Sequence, residues 1–312
     1  MQIDSLDVAL ARCQSYDRLE LKPVVDALCR SLGFSVASGT RVLLKPNLIS
    51  AQSPGHLACT RAGFVAAVAE WFCDHGAIVS VGDSPAFGTA RKVMTACGIT
   101  EALKHLPVTL VDFSSCRQVR LRCGETIGLA GEALDCDLLV NLPRVKAHDQ
   151  LLVTMAVKNH FGAVIGLRKP LLHARFGDVG TRFEEILVDL LEVLPVGISL
   201  LDGVVAMHRH GPMRGKPFPL GIVAASRNPV ALDSAMLAVL GIDPDRSKLM
   251  VECQKRGLTG SAERELVYPL LKPAEIRIEG FQAPSHLIPI TFHPLRICVG
   301  AVRRGLAQIL PW

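Results

Sequence analysis

The chain has 312 residues, 49% of them hydrophobic and 20% charged, which is material for a large core and excludes a disordered chain. Its net charge is only +5, its basic residues come in pairs such as Arg168-Lys169 and Arg303-Arg304, and two Trp and two Tyr offer little for base stacking, so no nucleic-acid partner is expected. The closest two of its ten cysteines are Cys116 and Cys123, a spacing that excludes a CxxC redox pair, a zinc ribbon and a close-spaced ferredoxin motif.

The opening MQIDSLDVAL carries neither a basic start nor a long apolar stretch, so no signal peptide is expected and the chain reads as cytoplasmic. A series of short apolar runs follows, each ending on a polar residue. Arg41-Val-Leu-Leu leads into Lys45-Pro46-Asn47, and Ala77-Ile-Val-Ser-Val leads into Gly82-Asp83-Ser84-Pro85. Val108 to Val111 ends at Asp112, Asp137 to Val140 at Asn141, Gly197 to Leu201 at Asp202, and Gly221 to Ala225 at Ser226. Their length and β-branched content predict buried strands, and the mean hydropathy of +0.33 fits them. Helical periodicity fills the gaps at 61–75, 89–97, 183–194 and 229–240, with stops at Gly76, Gly98, Pro195 and Gly241. Alternation of the two predicts an α/β fold, a mostly parallel sheet flanked by helices with a smaller subdomain. Residues 1–272 read as one domain and 273–312 as a C-terminal tail. The charge-free stretch from Gly280 to Leu295 is broken by prolines and too short to span a bilayer. The basic tail ending in Trp312 could lie on a membrane surface, although docking on the protein body is the simpler expectation.

In such sheets ligands collect beyond the carboxyl ends of strands, which is where Lys45, Asn47, Asp83, Ser84, Asn141 and Asp202 fall. The small residues of Gly82 to Gly88 allow close backbone approach to an anion, though they match neither a P-loop nor a GxGxxG fingerprint. The segment Asn141-Leu-Pro-Arg144-Val-Lys146-Ala-His148, with Lys158, Asn159 and His160 in the apolar run after it, is the richest. A lysine in an apolar run must be paired or lose its proton easily, and can then act as a base. His208 and His210, at i and i+2, could share a metal with Asp202, against the plainer reading of a glycine-rich loop with two surface histidines. Asp233, early in an apolar helix, could complement the helix dipole or pair with Lys146 or Lys158.

Taken together, Val42-Leu-Leu-Lys45-Pro-Asn47, Val81-Gly-Asp83-Ser-Pro85, Asn141 to His148, Val157-Lys158-Asn159-His-Phe-Gly162, Asp202-Gly203, Gly211-Pro212 and Asn228-Pro-Val-Ala-Leu-Asp233 resemble the family called domain of unknown function 362. Many of its members carry or are fused to ferredoxin-like iron–sulfur modules. The resemblance therefore implies redox work with a ferredoxin-like electron donor, while the cysteine spacing speaks against an iron–sulfur cluster held by this chain itself. His208-Arg209-His210 stands where a glutamate-glycine-asparagine-like sequence would precede Gly-Pro. That departure favours a histidine or divalent-metal role over a carboxylate one.

The resulting expectation is an enzyme acting on a small anionic or carbonyl-containing metabolite. Lys158, His148 and Asp83 are its candidate catalytic residues. Lys45, Asn47, Ser84, Asn141, Lys146 and Asn159 are its candidate ligand-binding residues. A metal-dependent isomerase or hydrolase built on His208, His210 and Asp202 is the first alternative, and a non-catalytic ligand-binding or assembly protein the second.

Overall fold

The computed structural model describes residues 5–165, 169, 172, 176 and 180–287. Residues 288–312, including Arg303, Arg304 and Trp312 of the expected membrane-facing tail, lie outside them.

The apolar runs form the strands of one sheet. In chain order the elements are β1 (Ala9–Arg12), α1 (Arg18–Ser31), β2 (Arg41–Pro46), α2 (Ala62–Asp74), β3 (Ile78–Asp83), α3 (Ala90–Ala96), α4 (Ile99–Leu103) and β4 (Val108–Asp112). An antiparallel hairpin, β5 (Cys116–Arg120) and β6 (Thr126–Ala130), and the short α5 (Gly131–Leu134) lead to β7 (Leu138–Leu142). Then come β8 (Arg144–His148), β9 (Leu152–Thr154), α6 (Ala156–Asn159), α7 (Arg182–Val193), β10 (Val196–His208), β11 (Lys216–Ser226), α8 (Pro229–Val239) and α9 (Lys248–Lys255). The sheet order is β1-β11-β10-β7-β2-β3-β4, with β8 paired to β10 and to β9. The run from β10 to β4 is parallel; β11 and β1 complete the sheet antiparallel. The fold is thus α/β with a mostly parallel sheet flanked by helices.

Period-two alternation explains why these strands read as unbroken apolar runs. Val42 and Leu44 of β2 join a core with Leu21, Val25, Phe64, Val68 and Phe72 of α1 and α2. Leu43, between them, joins the opposite core with Phe183, Leu187, Leu232 and Met236 of α7 and α8. Each fully buried Leu or Phe contributes about 1.5–3 kcal/mol of burial. From residue 273 to 287 the chain stays on this body: Ile276 is buried, the Ile278 N–H bonds to Val239 O, and Phe281 packs edge-on against Phe218. Among the described residues no helix is long and apolar enough to cross a membrane.

The connectivity decides where a site can form. From β2 the chain winds outward through β3 to β4, then returns to place β7 on the other side of β2. The loops after β2 and β7 therefore part company at the carboxyl edge, the topological switch point where α/β sheets leave a crevice.

Candidate functional site

A cavity of about 640 Å³ occupies that edge. Asn47 to Ile49 come from the end of β2, Asp83 to Phe87 from the end of β3, and Lys158, Asn159, Phe161 and Gly162 from α6 and the turn after it. Its remaining wall is β8, whose strict alternation sends Arg144, Lys146 and His148 to the cavity while Val145 enters the core. The loop 211–214 closes over β8. A Cβ on Gly211 would stand 1.7 Å from Ala147 O, so only glycine lets that loop approach.

At the floor, Lys45 and Asp83 form a fully buried ion pair, Nζ to Oδ1 at 2.9 Å. Asp83 Oδ2 accepts from the Leu48 N–H at 2.9 Å, tying the loop after β2 to the end of β3. Burial pulls the Lys45 pKa down, and Asp83 opposes that shift. Gly162 lies directly on the pair: a Cβ there would be 2.1 Å from both Lys45 Nζ and Asp83 Oδ1. Its carbonyl, at 3.1 Å, and that of Ser84 accept from Lys169 Nζ. Lys169 is a cavity residue that motif reading missed; its only sequence signal was the Arg168-Lys169 pair.

On the β8 side, Lys146 donates to Asn47 Oδ1 and, at 2.9 Å, to Ala58 O. Burial, without a carboxylate partner, brings its pKa down to about 7. Arg144 donates to Val205 O, Cys59 O and His56 O, so it serves as a clamp between β10 and the loop before α2, and its charge adds to the field. His148 Nδ1 accepts from the Gln150 and Leu151 N–H groups, both at 3.2 Å. Two donors on Nδ1 leave the ring proton on Nε2, and burial with the nearby Lys158 and Lys146 keeps the ring neutral by holding its pKa well below the ordinary value. His148 therefore presents a hydrogen-bond donor.

Lys158 differs from the other lysines. Among the described residues its Nζ has neither an ion pair nor a hydrogen bond; it sits 4.1 Å from the Phe161 ring centre and 5.6 Å from that of Phe183. Burial, then Lys169, Lys146 and Lys45, hold its pKa well below that of a free lysine. It is placed by a short helix whose first N–H groups, Ala156 and Val157, donate to Asp233 at 2.6 and 3.1 Å. Asp233 is thus neither a complement to its own helix nor a partner of Lys146 or Lys158: it holds the turn that carries Lys158. Burial pushes its pKa up to about 7.

Two other expected residues lie apart from the cavity chemistry. Asn141 does not border the cavity: it donates to Ala156 O at 3.0 Å and Ser199 Oγ at 3.1 Å and accepts from Asn159 at 2.7 Å, bonding β7 to α6 and β10. Asp202 accepts from Tyr16 Oη at 2.7 Å and the Arg61 N–H at 3.1 Å, and lies 3.8 Å from Arg144. The metal trio expected with His208 and His210 does not assemble. Asp202 and His208 are six residues apart on one strand, roughly 20 Å; His208 packs on Phe218 and His210 meets Asp149. Among the described residues no three His, Cys, Asp or Glu side chains are placed to hold a metal. Asn47, Asp83, Ser84, Lys146, His148, Lys158 and Asn159 do come together around the one cavity, with Lys45 directly behind Asp83.

The thylakoid-associated protein sll1697 of Synechocystis sp. (strain ATCC 27184 / PCC 6803 / Kazusa) is 38% identical over 289 residues, 91% of this chain and 90% of that protein. Among solved structures, the lactate racemase apoprotein from Thermoanaerobacterium thermosaccharolyticum aligns with a TM-score of 0.44 at 12% identity over 76% of this chain, and a protein from Thermotoga maritima with 0.37 at 10% over 66%. The chain spans 58% and 55% of those two structures. The family model described as a domain of unknown function, DUF362, matches residues 42–238, which include every wall of the cavity named above, and the chain belongs to that family.

Proposed function

We propose that the chain is an enzyme that binds a small anionic metabolite in this cavity, with Lys158 as the reacting amine and His148 Nε2–H polarising a bound oxygen. The observation that carries the reading is a charge imbalance. Five basic side chains, Arg144, Lys146, Lys158, Lys169 and Arg214, border the cavity against two carboxylates among the described residues, and Arg144 has a further carboxylate, Asp202 at 3.8 Å, behind it. Of those two, Asp83 is engaged by Lys45 and Asp149 by His210. Gathering basic groups around one cavity disfavours their charged forms until a ligand brings the opposite sign. Lys146, poised near 7, becomes fully charged when an anion arrives, so binding takes up a proton and weakens as pH rises above neutrality. Asn47 orients Lys146, and the Lys45–Asp83 pair fixes the floor.

Calorimetric titration with inorganic phosphate and with pyruvate, at pH 7 and pH 9 in buffers of different ionisation enthalpy, tests this. Binding with proton uptake at pH 7, weaker at pH 9, is expected. Lys146→Met should weaken it roughly 10–100-fold, the value of one charge-assisted hydrogen bond. Equal affinity in wild type and Lys146→Met would place the anion elsewhere and overturn the reading.

A further inference from the structure

This inference rests on the anion-binding reading and names its substrate class. We propose that Lys158 forms an imine with the carbonyl carbon of a 2-oxo acid bearing an apolar side chain, whose carboxylate is held from the β8 side by Lys146.

Three features of the cavity point there. The Lys158 amine is backed by the Phe161 and Phe183 rings, has neither ion pair nor hydrogen bond among the described residues, and has lysines as its charged surroundings, with Lys169, Lys146 and Lys45 all disfavouring its ammonium form. An apolar backing with cationic neighbours is what keeps a lysine amine nucleophilic near neutral pH. His148 supplies an Nε2–H donor in the same cavity, because its Nδ1 is occupied by two backbone N–H groups. Part of the wall is apolar: Ile49, Phe87, Met155, Pro212 and Met213. Phe87, 49% exposed, offers its ring to the cavity. A volume of about 640 Å³ also exceeds what a three-carbon acid fills, leaving room for a side chain against that wall. A carboxylate next to the carbonyl makes the carbon more electrophilic, which joins the demand for an anion to the demand for a carbonyl in one small molecule.

The step balances without an oxidant. The Lys158 lone pair adds to the carbonyl carbon while the C=O pair moves onto oxygen, which accepts the His148 hydrogen bond. A proton passes from nitrogen to that oxygen, giving the carbinolamine; its hydroxyl takes a second proton from solvent, the C–O bond breaks, and water leaves the iminium. The iminium is one proton richer than the neutral imine, taken from solvent, and its charge is offset by the substrate carboxylate.

Sodium borohydride trapping of the full-length wild-type protein tests this, with phenylpyruvate, 4-methyl-2-oxopentanoate and pyruvate as probes and calorimetry on the same samples. Hydride reduction should leave an adduct on the Lys158 peptide, heavier by the oxo acid less one oxygen. The two apolar acids should half-saturate at roughly tenfold lower concentration than pyruvate, for one buried hydrophobic group. Lys158→Arg should bind the acids and give no adduct, and urea-unfolded protein should give none specific to Lys158. Binding without an adduct, or an adduct spread over many lysines, overturns the imine and leaves the anion site standing. Adducts equal for all three acids overturn the apolar side-chain class. No binding of any acid or of phosphate overturns both this proposal and the anion-binding reading beneath it.

Discussion

Two regions of the molecule bury several ionised side chains, and they solve the problem in opposite ways. Between α7 and α9, Arg256 lies between Asp189 and Glu252, its Nε 2.6 Å from Glu252, while the second Asp189 oxygen accepts the Cys123 N–H at 2.7 Å. Every charge there meets its opposite, and the cluster fastens two helices to the loop of the β5–β6 hairpin. At the carboxyl edge of the sheet, Lys146, Lys158 and Lys169 converge on one cavity, the nearest carboxylate already belongs to Lys45, and the lysines rest on carbonyls, an amide and aromatic rings. In the first arrangement each charge has an opposite one beside it, with Lys255 Nζ 3.6 Å from the second Glu252 oxygen. The second leaves positive charge unbalanced in a concave space, which is how a structural ion cluster differs from a binding site.

The largest effects should appear where pairs are broken. Asp83→Ala strands Lys45, and Arg256→Met strands Asp189 and Glu252; each should lower the unfolding free energy by about 3–5 kcal/mol in urea titrations. A much smaller loss for Asp83→Ala would mean that Lys45 belongs with the unbalanced lysines and that the floor pair is not a structural element. Next comes Gly162→Ala. The methyl group would enter the space of both Lys45 Nζ and Asp83 Oδ1, and the carbonyl that Lys169 uses must move with it. A loss of about 1–3 kcal/mol is expected, together with weakened anion binding.

How much of this contrast can be read from sequence follows from where each signal lives. The strands β2, β3, β4 and β7 and the helices α2, α7 and α8 announce themselves because their apolar periodicity is local. Lys45, Asn47, Asp83 and Ser84 follow from them, being strand-end residues at a crevice that α/β topology requires. The strand β8 is harder. Arg144-Val-Lys146-Ala-His148 alternates strictly, but with its polar face turned inward to a cavity, so it reads as a motif without an element. Asn141 and Asp233 sit at the right places in the chain for a site, yet their side chains are consumed by backbone groups of α6, a fact set by tertiary packing alone. His208 and His210 would share a face only on an extended segment, but β10 ends at His208 and Arg209 takes a φ of 72°, while Asp202 lies far along β10. Lys169 and Gly162 reach the site by chain closure, which no local pattern encodes.

A pH titration sharpens the cavity side of the comparison. In the unfolded chain Lys146 keeps its proton up to its ordinary 10.5, whereas in the fold it loses it near 7. Between those values the unfolded state binds more protons, so stability rises with pH, approaching ~1.4 kcal/mol per pH unit. Below 7 both states hold the proton and the slope vanishes. Asp233, pushed up to about 7, works in the opposite sense and below that pH, where stability falls as pH rises toward 7. Comparing wild type with Lys146→Met from pH 7 to 9 should isolate the lysine: the upward slope shrinks in the variant. A saturating anion at pH 7 should flatten it in the wild type as well, because the bound ligand restores the lysine proton.

The smallest change in stability should come from the residue placed at the centre of the chemistry. Lys158→Met keeps most of the side-chain volume and exchanges an amine lying over Phe161 for a thioether, which also packs well on aromatic rings. It removes a buried amine among other lysines and breaks no ion pair. The unfolding free energy should therefore stay level or rise, within about 1 kcal/mol, in contrast to the loss in Arg256→Met. The same protein should fail every assay that needs the amine. A destabilisation of several kcal/mol would place Lys158 with the paired charges between α7 and α9, as a structural element whose conflict with its neighbours is only apparent. A level or higher stability with chemistry abolished is the signature of a group held in an unfavourable place for what it does there.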